Sequence, residues 1–250
     1  MNIVKSRLQL KIGITYFNFA EKRKEENMKK LLIGLLMSGM LLGVFTVSAL
    51  AEDKNASSEA SITFTGGDTT PTDPKNPDNP DNPGTETGTG MNGPLSLDYV
   101  PTLNFGSNAI TGSIKEFNSL NLKPYVQVTD KRGSGAGWKI SVSLGEFTGA
   151  NSSFDSAALV FSNSAYATTT GNNSGAPTSE ASVVVESGAG ETKLVGTVAT
   201  GEGMGTWIVK WYPTAQATGD NDSLQLRVNT ANVQADAYTA PVTWILSDAP

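Results

Sequence analysis

From residue 95 onward, apolar side chains recur at every second position in short runs separated by glycine-rich turns. Residues 138–144 and 224–228 have this pattern most clearly, and a period of two places the apolar side chains of a strand on one face. Further strands are predicted at residues 95–100, 125–129, 157–161, 182–186, 192–198 and 206–212. Several short strands in one stretch predict an all-β domain at residues 94–250, specifically an antiparallel β-sandwich or Greek-key domain.

The last predicted strand has the same alternation. Its apolar positions are Tyr238, Ala240, Val242, Trp244 and Leu246. Pro241 falls on the opposite face and has no N–H to donate, which favours an edge strand or the beginning of a strand. Because Trp138 and Trp244 both belong to such alternations, we predict that both side chains point into one core.

The N-terminal region has the pattern of an export signal. An apolar run at residues 31–47 follows two lysines and ends at an Ala-Leu-Ala sequence, which is the order of a secretory signal peptide at residues 28–51. Residues 24–27, just before Met28, can be encoded by codons that form a bacterial ribosome-binding sequence at a normal distance before the Met28 codon. We therefore expect Met28 to be the true start and residues 1–27 to be leader sequence. A signal peptide predicts a secreted protein without a membrane segment after cleavage.

Two further segments precede the predicted domain. Residues 52–66 are polar apart from the alternation Ile62-Thr63-Phe64, which predicts a short β segment. Residues 67–93 are rich in Pro, Asp, Asn and Gly, with three Asn-Pro repeats at a spacing of three. This composition favours extended polyproline II geometry, so a solvated, disordered spacer is expected there.

Composition and charge remove several functional classes. The 250 residues include no Cys and no His, so thiol nucleophiles, Ser-His-Asp triads and the usual zinc sites are excluded. The formal charge is −6 for the whole chain. It is −11 from Glu52 onward, because 8 of the 18 basic residues but only 3 of the 24 acidic ones precede that position. An acidic chain repels phosphate, which argues against nucleic-acid binding. No cofactor or metal site is predicted.

The C-terminal alternation resembles a specific family. Tyr238, the run Val242-Thr243-Trp244-Ile245-Leu246 and Pro250 are similar to the C-terminal motif of WxL-domain cell-surface proteins of low-GC Gram-positive bacteria. That family has a second Trp-x-Leu motif upstream, and Trp138-Lys139-Ile140 stands at the corresponding place with Ile in place of Leu.

The resemblance implies a function. It implies a noncovalent attachment to the cell wall through the WxL domain, with peptidoglycan as the ligand. Other WxL proteins and membrane-anchored WxL-associated proteins are the partners that it implies. The absence of an LPxTG-type motif after Leu246 agrees with noncovalent attachment. Tryptophan and tyrosine rings are candidate surfaces for stacking on sugars.

Two alternatives follow from the residues themselves. A secreted glycoside hydrolase would need a pair of carboxylates, and acids near turns are the candidates. These are Glu146, Asp155, Glu180, Glu186 and Glu191. An adhesin for a host matrix protein is the second alternative, because edge strands recruit extended partners. The leading hypothesis remains a noncatalytic cell-wall-binding protein.

Overall fold

The computed structural model describes residues 57–212 and 219–248. The predicted leader, signal peptide and Pro250 lie outside the described residues. Within the described residues, no helix combines the length and the apolarity needed to cross a membrane. The chain divides into two units, Met1–Ala60 and Ser61–Pro250, and every strand of the described residues belongs to the second unit.

The second unit is almost entirely β-structure, which confirms the predicted fold class. One 3₁₀ helix, Thr230–Asn232, is its helical element among the described residues. The strands are Lys75–Asn76 (β1), Asn79–Pro83 (β2), Leu95–Tyr99 (β3), Ile114–Ser119 (β4), Tyr125–Asp130 (β5), Trp138–Leu144 (β6), Phe147–Thr148 (β7), Ser153–Phe154 (β8), Ala157–Ser162 (β9), Ala165–Thr168 (β10), Ser182–Glu186 (β11), Lys193–Val198 (β12), Gly205–Lys210 (β13), Asn221–Asn229 (β14) and Val242–Asp248 (β15).

The strands form three main sheets, and all paired strands in them are antiparallel. Their orders are β10-β13-β5-β3, β11-β9-β14-β4 and β12-β6-β15. The short pairs β1-β2 and β7-β8 form two small additional sheets. In each main sheet most neighbours are distant in the sequence, so the fold depends on long-range pairing rather than on local hairpins.

One continuous apolar core joins the main sheets. In β6 the four alternate residues from Trp138 to Leu144 are buried, as the period of two predicts. Strand β5 differs because all six of its residues are buried, including the polar side chain of Gln127. Buried polar groups require hydrogen-bond partners, and the partners of Gln127 come partly from the segment that precedes β3.

Residues 67–93 differ from the expectation of a solvated spacer. They contain the β1-β2 hairpin, and Pro74, Pro77 and Pro80 are buried. The Lys75 backbone N–H donates to Gln127 Oε1 at 2.7 Å, and Gln127 Nε2 donates to the Asp73 carbonyl at 3.1 Å. The proline-rich segment therefore packs on the sheet, because its backbone satisfies polar side chains that burial would otherwise leave unpaired.

Two ion pairs and a tyrosine fix the tip of this hairpin. Asp78 accepts from Lys123 Nζ at 2.6 Å and from the Tyr212 hydroxyl at 3.2 Å. Lys210 Nζ lies 3.6 Å from the same carboxylate. Burial acts to raise the pKa of Asp78, but these donors and positive charges outweigh it and leave the pKa lowered. The tip of the hairpin is thus joined to the residues just before β5 and to the end of β13.

The short β segment predicted around Ile62 is not a strand in the structure. No strand is assigned between residues 57 and 66, and the side chains of Ile62 and Phe64 are 77% and 85% exposed. The chain is first fixed just beyond this stretch, where the Gly67 N–H donates to the Lys131 carbonyl at 2.8 Å. Ile62 and Phe64 alternate as in a strand, but no neighbouring strand covers them.

Candidate functional site

The two tryptophan motifs lie on neighbouring strands. Strand β15 pairs with β6 over its whole length, with Trp244 opposite Val142 and Leu246 opposite Ile140. Asp248 lies opposite Trp138 at the end of the ladder. Residues directly opposite in an antiparallel pair share a face, so Trp138 and Trp244 project from the same side of this sheet.

Trp138 belongs to the core. Its side chain is completely buried, and its Nε1 donates to the Gly203 carbonyl at 3.0 Å. Ile140, which stands where the family has Leu, is also completely buried. A buried indole that has a partner for its N–H is a stable core residue.

Trp244 is only half-buried. Its ring packs on Trp211 with a centroid distance of 5.7 Å and meets Phe161 edge-on at 5.9 Å. The remaining part of the ring lines a cavity, together with Val242 of the same strand. The prediction of a core contact is therefore confirmed for Trp244, but the side chain also borders solvent-accessible space.

Tyr238 lies before β15 rather than within it. Its hydroxyl shares a hydrogen bond of 2.5 Å with Ser152 Oγ and donates to the Gln234 carbonyl at 3.1 Å. Its ring meets Phe154 edge-on at 4.9 Å. The predicted single strand over 238–246 begins instead at Val242, because Pro241 has no N–H for the ladder.

These residues border a groove of about 1100 Å³. Two stretches without strands, residues 100–110 and 233–240, make up most of its lining. Phe117 of the edge strand β4 and Trp244 of the edge strand β15 also border it, and its floor is made of core side chains such as Leu144, Leu159 and Leu226. Aromatic rings line its walls: Phe105, Phe117, Phe147, Phe154, Tyr238 and Trp244. Asp236 is the single charged residue of the lining, and the backbone N–H groups of Asn151 and Ala237 donate to its carboxylate, which lowers its pKa.

The remaining motif residues face away from the core. Lys139 of β6 lies opposite Ser247, and Thr243 of β15 lies opposite Ser143. Ile245, opposite Ser141, is 40% exposed. Because these positions alternate with the buried ones, the motif is divided into an inner set and an outer face. We define the outer face as Lys139, Ser141, Ser143, Thr243, Ile245 and Ser247.

The other rings considered for sugar stacking are not exposed platforms. Trp207, Trp211, Tyr125 and Tyr212 are buried. Tyr99 and Tyr166 are partly buried, and the Tyr99 ring packs on Tyr125 at 4.4 Å. Among the described residues, the Trp and Tyr rings that border the groove are Tyr238 and Trp244.

The five acids considered for catalysis are all exposed, and none of them lines the groove. Glu186 pairs with Arg227 at 3.2 Å, and Glu191 pairs with Lys193 at 2.7 Å. Glu146 accepts from Ser153 Oγ at 2.5 Å. Over residues 57–212 and 219–248, no cluster of three acidic side chains has the arrangement of a metal site.

The fold and the site together define a class of protein: an antiparallel β domain in which two tryptophan motifs lie on neighbouring, paired strands. The family model described as "WxL domain surface cell wall-binding" matches residues 51–250. The chain therefore belongs to this family, which gives it a cell-wall-binding role at the cell surface. No curated protein and no solved structure matches the chain.

The alternation in the sequence correctly placed Val242, Trp244 and Leu246 on the more buried face of β15. It did not indicate that Trp244 also borders a groove. The groove could not be predicted because its lining comes mainly from residues 100–110 and 233–240, two stretches without strands that are distant in the sequence. The sequence feature that could have indicated the groove is the pair Phe147 and Phe154, which lie outside the predicted strands. Their rings stack at 5.0 Å and line the groove.

Proposed function

We propose that this protein is secreted by a Gram-positive bacterium and is held on its wall by noncovalent, noncatalytic binding to peptidoglycan. In this proposal translation starts at Met28, residues 28–51 are removed as a signal peptide, and residues 94–250 contain the binding domain. Other WxL proteins and membrane-anchored WxL-associated proteins are the proposed partners at the surface.

The outer face is the proposed contact with the wall. Four of its six residues carry hydroxyl groups, which can donate to and accept from the hydroxyl and amide groups of a glycan. Lys139 gives the face a positive charge, although the chain from Glu52 onward is acidic. Ile245 adds an exposed apolar contact for the nonpolar side of a sugar ring. The observation that carries the proposal is that both family motifs contribute side chains to this one partly exposed surface.

Wall polymers are often anionic, so the site of contact must avoid repulsion. Like charges that lie close together reduce the binding free energy. A face without acidic residues and with one cation does not repel the carboxylates of the peptides in peptidoglycan. The position of Lys139 between the hydroxyl groups therefore favours this sheet over the acidic remainder of the surface.

Co-sedimentation with purified peptidoglycan tests the proposal. The double variant Lys139→Glu/Ile245→Asp is expected to bind at least about tenfold more weakly than the parent, because it adds two negative charges and removes the cation. The matched control Lys115→Glu/Ile114→Asp makes the same changes at exposed positions of β4 and should bind within about twofold of the parent. Equal binding by the outer-face variant, with an unchanged melting temperature, would disprove this assignment.

An assay for released reducing ends tests the noncatalytic part. Incubation of the protein with peptidoglycan should release none above background. The groove contains one carboxylate, that of Asp236, whereas glycoside hydrolysis uses two. Release that disappears in an Asp236→Asn variant would favour the hydrolase alternative instead.

A further inference from the structure

The groove borders the free edge of one sheet. Strand β15 is the last strand of its sheet, and its Val242 and Trp244 side chains line the groove together with residues 100–110 and 233–240. An edge strand presents unpaired backbone N–H and C=O groups along its free side. Core side chains such as Leu159 and Leu226 form the floor of the groove. A ligand that fills the groove can therefore pair its own backbone N–H and C=O groups with the free edge of β15. Its apolar side chains would then face the floor of the groove.

The chain itself contains a segment with these properties. Residues 61–66 read Ser-Ile-Thr-Phe-Thr-Gly, with apolar and polar side chains alternating at a period of two. Ile62 and Phe64 are the most exposed of the large hydrophobic residues described. Alternate positions of an extended segment share one face, so Ile62 and Phe64 can be buried together against an apolar partner surface.

Charge favours the same pairing. The segment has no charged residue, and the groove lining has only Asp236, whose carboxylate is already engaged by two backbone N–H groups. Two copies of an acidic chain repel over most of their surfaces. Contact between an uncharged segment and a nearly uncharged groove avoids this repulsion.

We infer that residues 61–66 of one copy add as an extra strand to the free edge of β15 in a second copy. Ile62 and Phe64 then occupy the groove beside Trp244, and Thr63 and Thr65 face solvent. Strand addition of this kind obtains its affinity from main-chain hydrogen bonds and its specificity from alternate side chains.

A second copy suits the groove because every copy carries both the donor segment and the acceptor groove. Within one chain, the Gly67 N–H and the Lys131–Asp68 ion pair at 3.1 Å hold the adjoining residues, and the two apolar side chains remain exposed. A stable interface buries about 1,200–2,000 Å². One short strand falls below this range, whereas a mutual exchange of two segments doubles the buried area.

Analytical ultracentrifugation of the chain as purified from an expressing bacterium tests the inference. The parent should associate, and Phe64→Asp should weaken self-association at least about tenfold, since it places a charge in an apolar groove. The matched control Thr63→Asp puts the same charge on the solvent side and should change the association about twofold at most. A parent protein that stays monomeric at high concentration, or equal effects of both variants, would overturn the inference.

Cysteine pairing locates the contact, because the chain has no cysteine of its own. An oxidised mixture of the single variants Phe64→Cys and Ala240→Cys should give a disulfide between residues 64 and 240, identified by peptide mass. The mixture of Thr63→Cys with Ala240→Cys should give at least about fivefold less, because residue 63 points away from the groove. If the 64–240 disulfide forms only when both cysteines are in one chain, the segment fills its own groove and the inference is wrong.

The same variants separate this inference from wall binding. Phe64→Asp does not touch the outer face, so the monomeric variant should still bind peptidoglycan through that face. Loss of peptidoglycan binding in Lys139→Glu/Ile245→Asp with self-association intact would support both assignments as independent surfaces.

Discussion

Trp138 and Trp244 project from the same face of the β6-β15 ladder, but only Trp138 is completely buried. The indole N–H of Trp138 is satisfied by the Gly203 carbonyl inside the core. Trp244 instead reaches the rim of the core, where it meets Trp211 and Phe161 and borders the groove. The two motif tryptophans therefore have different energetic roles.

Replacement of each tryptophan by alanine measures this difference. Trp138→Ala should lower the free energy of unfolding by about 3–5 kcal/mol, because it leaves a cavity and removes a buried hydrogen bond. Trp244→Ala should cost less, about 1–3 kcal/mol, since part of its ring is already solvated. Urea unfolding of both variants gives the comparison. Equal losses would mean that the partial exposure of Trp244 does not persist in solution.

Gly203 should tolerate no side chain. Its φ of +70° lies in the left-handed region, and a Cβ there would collide with Val198 and lie 2.9 Å from Trp138 Nε1. Gly201 has a φ of +90° but open space around it. Both alanine variants incur the left-handed strain of about 1–2 kcal/mol, and Gly203→Ala adds an overpacking cost of about 1–3 kcal/mol. Thermal unfolding should rank Gly203→Ala well below Gly201→Ala; a reversed order would contradict the packing described around Trp138.

The docked proline-rich hairpin should resist protease. Trypsin can cleave after Lys75, whose backbone N–H is held by the buried side chain of Gln127. Gln127→Leu removes this acceptor and leaves buried backbone groups unpaired, a loss of about 1–3 kcal/mol locally. Cleavage should be at least about tenfold faster in that variant. Gln225→Leu on β14 is the control. Rapid cleavage of the parent at Lys75 would indicate a free spacer.

The buried carboxylate of Asp98 makes stability depend on pH. Burial raises its pKa, and hydrogen bonds from Ser96, Thr129 and Gln127 only partly oppose this shift. With the folded pKa above the unfolded one, protonation favours the folded state. The contribution is fully present below the unfolded pKa and is lost as the pH rises through the raised folded pKa.

Comparison of the parent with the Asp98→Asn variant isolates the contribution of Asp98 ionisation to the free energy of unfolding. The variant stays neutral at every pH, so the parent should lose stability relative to it as the pH rises from about 3.9, the ordinary aspartate pKa, through the raised value. Urea midpoints for both proteins, measured from below that pH to neutrality, give the difference. A constant difference across this range would show that Asp98 does not titrate there.

The sequence predicted well those strands in which one face alone is buried. The bounds 138–144 and 182–186 match β6 and β11, because their alternating apolar positions meet a single core. Strand β4 was not predicted. Its sequence, Ile-Lys-Glu-Phe-Asn-Ser, has charged residues at an edge, and its pairing with β14 rather than its pattern makes it a strand.

The proline-rich hairpin was missed for a related reason. Local composition favoured an extended solvated chain, and nothing in the segment itself indicates a partner. Its partners are polar side chains of β5, and Tyr125 illustrates this because its hydroxyl donates to the Lys75 carbonyl at 3.1 Å. The burial of Tyr125 and Gln127 inside a strand depends on residues about fifty positions earlier, a distance beyond the reach of local pattern.

The position of β15 near the C-terminal end of the described chain has a consequence for synthesis. Strand β6 acquires one of its two neighbours only when residues 242–248 are available, so the sheet that carries both tryptophans cannot be completed earlier. At a synthesis rate of about 5–20 residues per second, β6 waits several seconds for this partner. During that interval β6 lacks one of its two neighbours, so the part of the core around both tryptophans is completed only after β15 has been synthesised.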